Sequence, residues 1–139
     1  MSGPVPVAVI VASTRDERIG GRVAEWFVGE ARARGDLALD VIDLVNPEWR
    51  AEPVAFVSYG GLAGGLRVVE QLREVVVELH MVSLRDGVAL PFAGRSFREG
   101  TAPHDPEGMI ADGVRITLDR LVWWSRALAG ARAANPYDG

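Results

Sequence analysis

The sequence predicts an α/β protein built on an open parallel sheet of about four strands, with helices on its faces. Two observations predict it. The apolar runs Val5–Ala12 and Val54–Tyr59 are continuous rather than alternating, as in strands covered on both faces. Segments of helical periodicity lie between such runs, and strands that alternate with helices form a parallel sheet. The chain's 139 residues fit one domain, spanning 1–139.

Each element follows from its pattern. Val5–Ala12 is a β-branched run and reads as a buried strand. Arg18–Arg34 places Ile19, Val23, Trp26, Phe27 and Ala31 on one helical face, and Gly35-Asp36 ends it. Leu37–Leu44 alternates and reads as a second strand. Val54–Tyr59, after Pro53, is a third strand. Leu62–His80 carries Leu66, Val69, Leu72, Val76 and Leu79 at helical spacing. Met81–Leu90 is a fourth strand, and Pro91–Glu107, rich in Gly, Pro and charge, is a loop. Met109–Ala131 is the last helix, and Asn135–Gly139 is expected to fray.

Composition excludes several classes. Hydrophobic residues make up 48% of the chain, enough for a core. No apolar run is long enough to span a bilayer. The N-terminus does not read as a signal peptide, so a cytoplasmic protein with no membrane partner is expected. The absence of cysteine removes disulfides, thiolate metal sites and a cysteine nucleophile. A net charge of −4 without a basic cluster argues against nucleic acid. His80 and His104, the only histidines, share no ligand spacing, so no metal site is expected.

Two loops carry candidate chemistry. Ser13-Thr14-Arg15 follows the first strand and precedes a helix. Ligands of open α/β sheets bind at that carboxyl edge. A phosphate there can accept bonds from the Ser13 and Thr14 hydroxyls and from free N–H groups of the helix start, with a charge-assisted fork from Arg15 or Arg18. A plainer reading stands beside it: the hydroxyls start the helix and the arginines are solvated. The second loop, Ser58-Tyr59-Gly60-Gly61-Leu62-Ala63-Gly64-Gly65, puts two glycine pairs between a strand and a helix. Glycine lets backbone approach a flat ring closely, with Tyr59 beside it. The alternative is a tight turn whose glycines serve packing. No G-x-G-x-x-G is present and no catalytic triad is evident. Trp123-Trp124 is expected to pack, one residue in the core and the other at an interface. Glu70, Glu74 and Glu78 read as a solvated stripe.

Val7–Arg15, Val23-Ala24-Glu25-Trp26, Pro53–Gly61, Gly64-Gly65-Leu66-Arg67, Val69–Leu72 and Leu121–Trp124 together resemble the NADPH-dependent FMN reductase family, which is flavodoxin-like. The resemblance implies that Ser13, Thr14 and Arg15 hold the FMN phosphate, with Arg18 near. It implies that Tyr59, Gly60 and Gly61 line the isoalloxazine, with Gly64 and Gly65 shaping the loop and Ser58 among the cofactor-binding residues. NADPH or NADH would be the co-substrate.

The chain departs from that pattern in one place. The family's middle strand, its Pro-Glu-Tyr-Asn type loop and the following helix are replaced by nine residues, Val45 to Pro53. Extended, these reach about 30 Å. That is enough to return the length of a strand, roughly 17–20 Å, and to step past two strand spacings. It leaves no covering helix. A bare apolar sheet face would call for a second copy, so a homodimer or higher oligomer with a subunit-shared site is expected. Two functions compete: an FMN-dependent NAD(P)H oxidoreductase, and a flavin-free descendant acting as a non-redox enzyme or a binding subunit.

Overall fold

The computed structural model describes residues 3–10, 19–42, 50–97 and 102–137. The described residues form a mixed α/β arrangement of short parallel strands and helices, as the sequence predicts. Val5–Ile10 (β1) pairs in parallel with Leu37–Ile42 (β2), from Val5↔Leu37 through Ile10↔Ile42. Ile19–Ala33 (α1) connects them. It ends where Gly35 turns at φ +74 and donates its N–H to the Arg32 carbonyl (3.2 Å).

The third and fourth strands are each interrupted. Pro53–Val54 (β3) and Val57–Gly60 (β4) lie along one line. Val82–Ser83 (β5) and Val88–Pro91 (β6) lie along the next. β3 pairs with β5 and β4 with β6, both in parallel. The register shifts from Pro53↔Val82 to Val57↔Val88, so the second line carries two extra residues between its ladders. That bulge is why six short strands stand where four longer ones are expected. Among the described residues the strands form three two-stranded ladders, and no ladder joins β1 to β4.

Leu66–Glu78 (α2) supports the bulge. Its Arg73 guanidinium donates to the Ser83 hydroxyl, the Leu84 carbonyl and the Arg85 carbonyl (3.1 Å to the last). The same group lies 5.3 Å from the Phe56 ring centroid. Arg73→Met keeps the stem and removes these bonds. It should cost about 2 kcal/mol in a urea unfolding titration, the worth of hydrogen bonds from a charged donor. α2 ends with His80 at φ +59; His80 N–H bonds Val77 O, and Met81 N–H bonds Val76 O.

Ala93–Ser96 (α3) is a single turn within the stretch read as loop. Met109–Ala134 (α4) packs against β1, β3, β6 and α1. The main core gathers Val23, Trp26, Phe27 and Ala31 of α1, Val88 and Leu90 of β6, Ala93, Phe97, and Val114 and Leu118 of α4. Leu37, Leu39, Val57 and Tyr59 close it from the sheet side. Arg34 ties the end of α1 to α4 through Asp36 (2.9 Å) and Asp119 (2.6 Å). The Arg34 hydrogen bond holds the Asp36 carboxyl below its ordinary range.

One expectation about surfaces changes. The side of the β1–β2 ladder away from the core carries Pro6, Ala8, Ala38 and Asp40, all exposed. Trp123 and Trp124 are both exposed and meet edge to face, with centroids 5.1 Å apart. Neither lies in the core, which is filled by Leu118, Leu121, Val122 and Ser125 on the opposite side of α4.

Candidate functional site

Ser13, Thr14, Arg15 and Arg18 lie outside the described residues. Ser58, Tyr59, Gly60, Gly61 and Gly64 are described, and they stand together at the carboxyl edge of β4. β1 and β4 belong to separate ladders.

The β4 loop is built by backbone contacts. Gly64 N–H donates to Gly61 O (3.1 Å), and Leu66 N–H donates to Ala63 O (3.0 Å). Gly64 and Gly65 sit at φ +57 and +83, a region that L side chains rarely enter. Their surroundings are equally restrictive. A Cβ on Gly65 would stand 2.7 Å from Tyr59 O, and one on Gly64 would stand 3.2 Å from Ala89 Cβ and from the Leu90 and Pro91 nitrogens. A Cβ on Gly60 would stand 3.0 Å from Gly65 N. These three glycines therefore let the loop fold back onto β4 and β6. Gly61 differs: a Cβ there would meet nothing within 4 Å, and the residue is exposed. Of the two glycine pairs, Gly61 is the position whose open side faces free space.

Alternation along β4 divides its side chains. Val57 and Tyr59 point to the core, where Tyr59 is half-buried. Ser58 points to the α2 side, with its Cβ close to Gly65. Tyr59 thus anchors the loop from below rather than lying in open space beside it. The open wall is made by the Gly61 backbone.

The neighbouring strand contributes a second wall. β6 runs in register, with Tyr59↔Leu90 and Gly60↔Pro91. Phe92 follows directly, and its N–H donates to Gly61 O (3.2 Å). The Arg95 guanidinium lies 5.5 Å from the Phe92 ring centroid. Sequence reading left residues 91–95 in a loop. The signal was present in the apolar run that ends at Leu90, because its carboxyl end must share the edge where β4 ends.

Electrostatically the edge is open to an anion. Among the described residues no carboxylate pairs with Arg95, and no group of His, Asp and Glu has the makings of a metal site. The carboxyl raised by its surroundings, Glu52, lies elsewhere; burial pushes it up against the pull of Arg132, 2.7 Å away. No helix among the described residues is long and apolar enough to cross a membrane.

An exposed backbone edge beside an aromatic ring and a cation suits a flat anionic ligand. A flavin nucleotide fits that description, and the open side of Gly61 is a place where its ring can approach. The family model for NADPH-dependent FMN reductase matches residues 38–95, a stretch short of half the chain. The match contains the whole β4 loop as well as Phe92 and Arg95, and stops before α4. No curated protein matches the chain.

Proposed function

From the family match over residues 38–95, we propose that this chain is an FMN-dependent NAD(P)H oxidoreductase of the flavin or quinone reductase kind. The observation that carries the reading is the exposed Gly61 backbone at the carboxyl end of a parallel strand, within the matched segment. Bound FMN supplies the hydride chemistry. The protein's residues bind and orient it. Ser13, Thr14, Arg15 and Arg18 hold the phosphate, in keeping with the resemblance. Gly61 lets one ring face rest on backbone, and Ser58, Tyr59, Gly60 and Gly64 fix the loop.

A second copy completes the site in this reading. Support comes from the outer face of α2, which follows the β4 loop directly. Val68, Leu72, Val75 and Leu79 are exposed there at helical spacing. A solitary soluble chain gains nothing from such a stripe, whereas a homodimer buries it. Light scattering at micromolar concentration should give twice the chain mass; a stable monomer would remove the subunit-shared site.

The activity is tested by following NADPH oxidation at 340 nm with excess FMN and a quinone acceptor. The wild-type chain should oxidise NADPH above the free-flavin background. Arg15→Ala should weaken FMN binding ten- to a hundredfold, for a lost charge-assisted contact of roughly 1.5–3 kcal/mol. Turnover at the background rate would favour the flavin-free alternative, a non-redox enzyme or a binding subunit.

A further inference from the structure

Phe92 is an unusual residue for its backbone. It sits at φ +49, ψ 39, the left-handed region that glycine and asparagine enter and bulky side chains avoid. Packing does not explain the choice, since 44% of Phe92 is exposed. A large apolar residue held in a disfavoured conformation and left facing water is a mark of a binding position.

The short α3 turn explains how it is held. Its inward residues are fixed: Ala93 is 1% exposed and Phe97 is fully buried. Gly94 lies so close to Ile19 that a Cβ would stand 3.0 Å from Ile19 Cδ1. With these three docked, Phe92 and Arg95 are turned outward on the other side. Arg95 N–H donates to Phe92 O (2.7 Å), and its guanidinium lies over the Phe92 ring, 5.5 Å from the centroid. A guanidinium placed over a ring keeps its N–H edge available for a phosphate. Phe92 N–H donates to Gly61 O, which ties the backbone of this pair to the β4 loop at Gly61.

The geometry points to Phe92 and Arg95 as a ring-and-phosphate clamp facing Gly61. Phe92 stacks on or against the edge of a flat heteroaromatic ring, and Arg95 pairs with an anionic group of the same ligand. This assignment rests on the oxidoreductase reading and deepens it, because neither residue is among those that the resemblance assigns to the flavin. FMN and NADPH share the required chemistry, a heteroaromatic ring bearing phosphate.

Separate fluorescence titrations of the purified full chain with FMN, riboflavin and NADPH test it. Phe92→Ala and Phe92→Tyr keep the same backbone constraint and differ in the ring. Phe92→Ala should weaken the clamped ligand by about tenfold, in line with the worth of one stacking contact, and Phe92→Tyr should restore it. Arg95→Gln should weaken binding similarly. Circular dichroism melts of all three variants establish that each is folded. If FMN is the ligand, Arg95→Gln weakens FMN and leaves riboflavin, which lacks the phosphate, unchanged. If NADPH is the ligand, both losses appear in its titration while FMN is unaffected. Wild-type binding of FMN and NADPH that none of the folded variants alters would overturn the clamp and leave the oxidoreductase reading standing. A wild-type chain that binds neither would overturn both.

Discussion

Gly65→Ala should lose about 3 kcal/mol or more of folding stability, while Gly61→Val should lose less than about 0.5 kcal/mol and yet abolish tight flavin binding. The two glycines are four residues apart in the same loop, but they answer to different constraints. At Gly65 the backbone is left-handed at φ +83, which costs an L side chain roughly 1–2 kcal/mol. The new Cβ would also stand 2.7 Å from Tyr59 O, and a carbonyl of the β4 ladder has nowhere to go. At Gly61 a side chain meets no protein atom within 4 Å, so its cost to folding is that of an ordinary surface change. What it does occupy is the space above the open backbone. Urea unfolding measures the first effect and FMN titration of the folded variant the second. Equal stability losses at the two positions would mean that Gly61 is also a packing glycine.

Phe97→Ala should be the most damaging single truncation in the main core, at about 3–5 kcal/mol. Phe97 is fully buried and sits edge to face with Trp26, centroids 6.0 Å apart. Arg22 reaches its carbonyl and lies over its ring. The residue joins α1 to the turn that carries Phe92 and Arg95, so its loss loosens both core and site. Domains of this size are stable by only about 5–15 kcal/mol. The variant should therefore melt many degrees earlier, with a smaller near-UV signal from Trp26. A loss below about 1 kcal/mol would show that the site collapses readily around the cavity.

Much of this architecture was legible in the residues, and what was not has identifiable causes. The helices were readable because their apolar spacing is regular: Val23, Trp26, Phe27 and Ala31 do form the buried face of α1. The parallel pairing was readable from the continuous β-branched runs. The interruption between β5 and β6 had a local sign in Arg85-Asp86-Gly87, a turn-forming break inside Met81–Leu90. What no local pattern shows is the long-range partner that satisfies the bulged backbone, Arg73 bonding the carbonyls of Leu84 and Arg85. Strand alternation puts the exposed Pro6, Ala8, Ala38 and Asp40 on one side of the β1–β2 ladder. At the site, the double-glycine signal left open whether a flat ring or the protein's own backbone approaches. Three glycines make room for the protein's own backbone, and the sequence alone does not separate those from Gly61. Phe92 was invisible for a related reason, since its significance lies in a backbone angle.

The central claim is the proposal that this α/β chain binds FMN at the carboxyl edge of β4. Its most direct test is the visible absorption spectrum of the purified chain, taken after incubation with FMN and removal of free ligand. The account predicts a retained flavin spectrum near 450 nm in wild type that is lost in Gly61→Val at unchanged folding. A colourless wild-type protein under those conditions would contradict it.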